Sequence, residues 1–235
     1  VCPANGHKGV VRSLLGCEDI DPHYSNSMGI TALWLAAEVG KERIVKMLLE
    51  WMDSRPNCPE NQHNNASMRA AISGQEGIVK LTLGHSDVDP NYLDDYSRTP
   101  LWHASATGHA GIVELLLERG CVDPDRPDNE NRTPLWCAAD RGHETVVKLL
   151  LERWGVDPNR ADVNGITPPA RAATEGEEGV VKLFREWEDS GLDSESDQDD
   201  GGSFIRFAQS PGITGVSLCI LFFMVRGASV VFQSC

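Results

Sequence analysis

Positive charge is what this chain most lacks. Its 235 residues carry 21 Lys and Arg against 35 Asp and Glu, a formal net charge of -14. A nucleic-acid binder needs a basic footprint to displace counterions from phosphate, so that class of partner is excluded. Aromatic residues are few, at 6%, and hydrophobic residues reach only 40%. That content is ordinary for a soluble chain and too low for a multispan membrane protein. The cysteines Cys2, Cys17, Cys58, Cys121, Cys137, Cys219 and Cys235 are odd in number and form no CxxC pair. A disulfide framework and a zinc ribbon are both disfavoured. No charged segment followed by an apolar run opens the chain, so no signal peptide is read. A reducing, cytoplasmic location is the expectation. The sequence holds no phosphate-cradling GxxxxGKS/T, no HExxH and no GxSxG, and with them goes the reason to expect an enzyme, a cofactor or a metal.

What the sequence has in abundance is repetition. Gly6, Gly40, Gly74, Gly108, Gly142 and Gly176 recur every 34 residues, and so do Pro22, Pro56, Pro90, Pro124 and Pro158. The pairs Val10-Val11, Ile44-Val45, Ile78-Val79, Ile112-Val113, Val146-Val147 and Val180-Val181 keep the same period, as do Ala36, Ala70, Ala104, Ala138 and Ala172. Four independent registers over five or six periods identify a repeat array.

Each period has a physical reading. Thr99 is a helix N-cap, whose side chain accepts from an orphan N–H. Pro100 follows at the first helical position, where its missing N–H costs nothing. Ala104 and Ser105 are small enough for a neighbouring helix to approach closely. Gly108 ends the helix because it tolerates positive φ. Ile112, Val113, Leu115, Leu116 and Leu117 then line the buried face of a second helix, with Glu114 and Glu118 outward. Asp123-Pro124 breaks that helix and starts a loop leading to the next Thr. One helix–turn–helix unit cannot bury its apolar face alone, so stability comes from stacking on neighbours.

Thr133-Pro134-Leu135-Trp136-Cys137-Ala138-Ala139, then Gly142-His143, then Val146-Val147-Lys148-Leu149-Leu150-Leu151, resemble the ankyrin repeat. The resemblance covers residues 1 to about 187 and implies an all-α solenoid. Its 34-residue period, with a Val-Asp-Pro-Asn style loop, is similar to arrays common in filamentous fungi. Trp34, Trp102 and Trp136 stand where the family usually has His, which points to aromatic packing there. In this register the units are 1–25 (partial, apparently truncated at its N-terminus), 26–59, 60–93, 94–127, 128–161 and 162–187. The partial unit leaves an apolar edge able to self-associate. Unit 60–93 is degenerate, since Asn65-Ala66-Ser67-Met68 replaces Thr-Pro-Leu-Trp, and is expected to be the weakest link.

The last residues depart from the pattern. Residues 188–202 are rich in Asp, Glu, Ser and Gly and are expected to form a disordered acidic linker. Residues 203–235 form an apolar tail. Three readings of it stand open: a membrane anchor, an aggregation-prone tail, or a segment foreign to the natural product. Any membrane contact would run through 212–232 only, where the uninterrupted apolar stretch is short for a single span.

The repeat positions weigh against chemistry. His7, His109 and His143 share the position after the glycine, which reads as a helix-start residue rather than a metal ligand. Cys137 takes a variable helix position and is expected to be partly exposed. The resemblance implies that partners lie against the loop tips and the exposed face of the first helix. Carried over to this sequence, the tip positions are Asp95, Tyr96 and Arg98, then Asn129, Glu130 and Arg132. The helix positions are Ala106 and Thr107, then Asp140 and Arg141. Tyr and Arg are favoured because they dominate interface hot spots. The expected function is thus non-enzymatic binding of another protein, as a scaffold or adaptor. The acidic body suggests a partner with a basic or mixed-charge surface. The alternatives are the cytosolic part of a membrane-anchored protein and the targeting array of a longer enzyme.

Overall fold

The computed structural model describes residues 8–17, 24–27, 30–53, 61–85 and 88–192. Among them are eleven helices and no strand. The first is α1 (Lys8–Leu15), and helix pairs follow: α2 (Ala32–Glu38) with α3 (Glu42–Asp53), α4 (Asn61–Ile72) with α5 (Glu76–Leu83), and α6 (Pro100–Ala106) with α7 (Ala110–Leu117). Next come α8 (Pro134–Asp140) with α9 (Glu144–Leu151), and α10 (Pro168–Glu175) with α11 (Glu178–Leu192). The first helices α2, α4, α6, α8 and α10 pack in sequence as one row. The second helices α1, α3, α5, α7 and α9 form the other. Residues 188–192, expected to begin the linker, continue α11. The rest of the expected linker, the apolar tail and His7 lie outside the described residues.

The helix boundaries follow from the caps. The hydroxyl oxygens of Thr31, Thr99, Thr133 and Thr167 accept from the backbone N–H three residues on, which satisfies one orphan donor at each helix start. Pro100, Pro134 and Pro168 occupy the first turn. Beyond the helix the chain turns through a glycine of positive φ, as at Gly108 with φ +75°.

The two rows enclose one continuous core that runs from Val11 to Phe184. The recurring Ala at 36, 70, 104, 138 and 172 and the Val/Ile pairs of the internal units are almost wholly buried in it. Ties between units supplement this burial. The Trp51 indole N–H donates to the Leu15 carbonyl, and the Arg119 guanidinium donates to that of Leu83. Arg153 does the same to Leu117. Each of the three side chains reaches back 36 residues to a second-helix C-terminal carbonyl of the preceding unit, a place where cationic donors are favoured.

Packing between units also explains several glycines. A Cβ added at Gly74 or Gly108 would overlap the imidazole of His109 or His143, and one at Gly142 would overlap the carboxylate of Glu177. The residue after each repeat glycine thus lies over the glycine of the preceding unit. His109 Nε2 is 3.3 Å from the Ile72 carbonyl oxygen, and His143 Nε2 is 3.2 Å from that of Ala106. Both histidines are structural residues at a helix start.

Unit 60–93 differs in kind. Its first helix starts at Asn61 and is 12 residues long, where α6 and α8 have 7. Glu60 and Asn65 stand where the neighbouring units have Asn or Asp and Thr. Without the residues that write a turn and a cap, helix occupies the stretch that is loop elsewhere. The stack is preserved all the same, because Ala70, Ala71, Ile78 and Val79 are fully buried.

Candidate interaction surface

The loop tips are built on aspartates. Asp94 Oδ1 accepts from the backbone N–H of Tyr96 and of Arg98, both at 2.9 Å. Asp128 does the same for Glu130 and Arg132, and Asp162 for Asn164 and Ile166. In the same loops the backbone N–H of Asp94, Asp128 and Asp162 donates to the carbonyl of Arg98, Arg132 and Ile166. Each turn closes through one left-handed residue, Ser97 (φ 62°), Asn131 (φ 59°) or Gly165 (φ 77°). Side-chain bonds of this Asx type replace the donors and acceptors a strand would supply. Burial opposes the charge on Asp162, but the N–H groups of Ile166 and Asn164 outweigh it and hold the carboxyl below its ordinary value. These aspartates recur every 34 residues, with Asn26 in the same register. That periodicity was readable in the sequence and marks the residues that shape the tips.

Adjacent tips are joined. Asn129 N–H donates to the Tyr96 carbonyl at 3.1 Å, and Val163 N–H to the Glu130 carbonyl at 3.0 Å. The tryptophans add a second tie, since the indole N–H of Trp102 donates to the Arg132 carbonyl and that of Trp136 to the Ile166 carbonyl. Sequence reasoning expected aromatic packing at these positions. The structure gives them a hydrogen bond to the next tip as well.

The expected contact residues fall into three groups. Asp95, Tyr96, Asn129 and Glu130 are exposed at the tips, and Tyr96 is 60% accessible despite its size. Arg98, Arg132, Asp140 and Arg141 are engaged within the array. The Arg98 guanidinium lies 4.5 Å from the Trp102 ring centre and 4.7 Å from that of Tyr96, and 3.7 Å from Asp128 Oδ2. Arg132 donates to Asp128 Oδ2 through Nε and Nη2 and pairs with Glu130 at 3.0 Å. Burial works against the charge of Arg132, but the bond and charge of Asp128, with Glu130, outweigh it and raise its pKa. Asp140 pairs with Arg171 at 2.5 Å, and Arg141 donates to the Ala106 carbonyl at 2.7 Å while remaining exposed.

The third group is less accessible. Thr107 is half-buried, and its hydroxyl donates to the His103 carbonyl. Ala106 is only 2% exposed, so its side chain offers a partner almost nothing. Cys137 corrects the expectation of partial exposure. It is buried with Trp102, Ala106 and Trp136 in a small apolar cluster, and burial pushes its thiol pKa far up, which removes thiolate reactivity.

The first-helix row carries paired charges at the same offset. Arg69 pairs with Glu38 and Arg171 with Asp140, each 31 residues apart. Arg69 also stacks on Trp34 and Arg171 on Trp136. In the middle unit His103 Nε2 lies 2.9 Å from Asp94 Oδ2. Such half-exposed pairs stabilise modestly and chiefly fix side-chain positions. Among the described residues no group of three His, Cys, Asp or Glu side chains is placed to hold a metal ion. A polar hollow of about 600 Å³ borders the tip of unit 128–161, and Asp125, Arg126 and Arg160 are among its lining residues. Arg160 pairs with Asp125 there at 3.0 Å.

These observations define a helical solenoid of stacked units with ordered, variable tips. The family model for ankyrin repeats (3 copies) matches residues 1–94 and 67–162. The chain belongs to the ankyrin-repeat family, whose arrays are in general modules for protein–protein interaction. No curated protein matches it. Among the described residues, no helix is long and apolar enough to cross a membrane.

Proposed function

We propose that the array is a non-enzymatic scaffold that binds another protein through the tips of units 94–127 and 128–161. One observation carries this reading. Tyr96 presents a large aromatic ring to solvent from a turn fixed by Asp94, by Arg98 and by the hydrogen bond from Asn129. Little ordering entropy is then lost on docking, and an aromatic group on a rigid support makes an effective anchor. Val163, 65% exposed, extends the apolar character to the next tip. Asp128 and Glu130 together balance Arg98 and Arg132, which leaves the charge of Asp95 beside Tyr96. It favours a partner whose contact surface is basic or mixed.

The test is site-specific photocrosslinking of the full chain in cells. A photoreactive phenylalanine at position 96 or 129 is expected to give a discrete covalent adduct with another protein. The same group at position 114, on the outward face of α7, is expected to give none. Adducts at 114 without adducts at 96 and 129 would move the site to the second-helix row and end this proposal.

A further inference from the structure

We infer that the polar hollow beside the tips of units 94–127 and 128–161 receives a lysine side chain of the partner protein, with Asp125 as its main acceptor. The inference rests on the binding reading above and adds the chemistry of the contact. It starts from one change in the repeat. Asn91 joins its unit to the next through both ends of its amide. Its Nδ2 donates to the Cys121 carbonyl at 2.7 Å, and its Oδ1 accepts from the Asp123 N–H at 3.0 Å. One period on, position 125 holds an aspartate, and the carbonyl in the register of Cys121 belongs to Gly155. A carboxylate has no N–H to give. Two acceptors stand where the preceding junction pairs a donor with an acceptor, so the missing donor must come from elsewhere.

The surroundings of Asp125 agree. Its Oδ2 accepts from Arg160 Nη1 at 3.0 Å, but Oδ1 has no hydrogen-bond partner, although the residue is more than nine-tenths buried. Burial raises its pKa against the bond and charge of Arg160, as in a carboxylate short of donors. Asp125 and Gly155 both line the hollow, together with Asp123 and the tip residues Ser97 and Asn129. Oδ1 is closed to water in the free chain, and the soft torsion at the end of an aspartate side chain lets it turn to an incoming donor. Asp123 is exposed and forms no ion pair among the described residues. An ammonium group brings three donors and no acceptor, which suits Asp125, Asp123 and the Gly155 carbonyl. A metal ion does not suit them, since no group of three ligating side chains is formed among the described residues. Arg126 is exposed on the same hollow and is likewise without an ion pair among the described residues. It fits a partner in which an acidic residue neighbours the lysine, which is a mixed-charge surface.

The experiment is an NMR titration of the full, nitrogen-15-labelled chain at physiological salt, with acetyl-Lys-Glu-amide as the probe. This dipeptide has no net charge, so the chain's charge of -14 gives it no general attraction. The amides of Asp125, Arg126 and Gly155 are expected to shift with a dissociation constant of about 1–10 mM, as for a single small anchor. Acetyl-norleucyl-Glu-amide lacks only the ammonium group and is expected to leave them in place. Asp125→Asn is expected to bond the Gly155 carbonyl as Asn91 bonds that of Cys121. It should therefore melt no lower than the parent, yet bind the probe at least about tenfold more weakly. Glu114→Gln removes a carboxylate from the outward face of α7 and is expected to keep the shifts. A parent without shifts at these amides overturns the inference. So do equal shifts with the norleucine dipeptide, a comparison that needs no variant, or an Asn variant that binds the probe as the parent does. Crosslinked adducts at 96 or 129 beside a silent titration remove only the lysine site. Missing adducts strike the wider binding reading and are seen in the crosslinking alone.

Discussion

Units 94–127 and 128–161 stand beside unit 60–93 as two solutions to the same packing problem. All three bury the recurring Ala and the Val/Ile pair completely. Only the first two have the aspartate turn, the Thr cap with Pro in the first turn, and the Trp that ties one tip to the next. The residues that write the stack are therefore separable from those that write the tip. A unit can lose its tip and remain a competent spacer between neighbours that keep theirs.

The comparison can be broken by giving a well-formed unit the defect of the other. Leu135 is fully buried, and Ser67 occupies the same register position in unit 60–93. Leu135→Ser is expected to lower the unfolding free energy by about 4 kcal/mol, from the lost burial, the cavity and an added hydroxyl. Urea titration followed by circular dichroism measures this. Arg132→Ala strands the carboxylate of Asp128, whose side chain is 1% exposed. The expected loss is about 2–3 kcal/mol, softened by Arg98 at 3.7 Å. A chain unchanged in stability by this substitution would return Arg132 to the contact residues.

Three smaller effects sharpen the contrast. Hydrogen exchange is expected to show the amides of α5 opening about tenfold more often than those of α9, and equal protection would contradict the ranking of the units. Ser67→Ala removes a buried hydroxyl that has no hydrogen-bond partner. It should stabilise the chain by about 1 kcal/mol, seen as a higher urea midpoint. The smallest effect is on pH dependence. Burial lowers the pKa of His103 below its ordinary 6.5, against the pull of Asp94 and with help from Arg98 and Arg69. The folded chain therefore resists protonation that the unfolded chain accepts. Stability is complete above about 6.5 and falls as pH drops below that value, levelling once the folded pKa is passed. His103→Gln should flatten this part of the profile in melts recorded on both sides of 6.5.

Much of the fold was legible because it is written locally and repeated. Thr99 beside Pro100, Gly108 at the turn and Ile112-Val113 on the buried face each act within a few residues of where they stand. Surface roles were harder to read. Arg98 and Arg132 are hot-spot residue types, but both converge on Asp128, and for Arg98 that partner is 30 residues away across a unit boundary. Ala106 sits at a position that the motif leaves open, yet Trp102, Trp136 and Cys137 close over it. The length of α4 was hidden for a different reason. Asn61-Gln62-His63-Asn64-Asn65 has no apolar period to announce a helix, and its helical state follows from the absence of a competing turn. The aspartates of the tips were visible at the same 34-residue spacing as the glycines and needed only to be counted alongside them.

The carboxylates lodged against glycines impose an order on the units. Glu42, Glu76 and Glu144 meet Gly77, Gly111 and Gly179, whereas Ala110 stands where the fourth Glu would be and Thr145 where its glycine would be. Bulk on one side of a junction is matched by its absence on the other. A second copy of unit 128–161 in place of unit 94–127 would set a threonine against Glu76 and a glutamate against Thr145. That exchange would thus be penalised at two junctions at once, while a unit that carries both residue types, as 60–93 does with Glu76 and Gly77, could be duplicated without a clash. Such a chain is inherited as a sentence with agreement between its words, and not as a string of interchangeable beads.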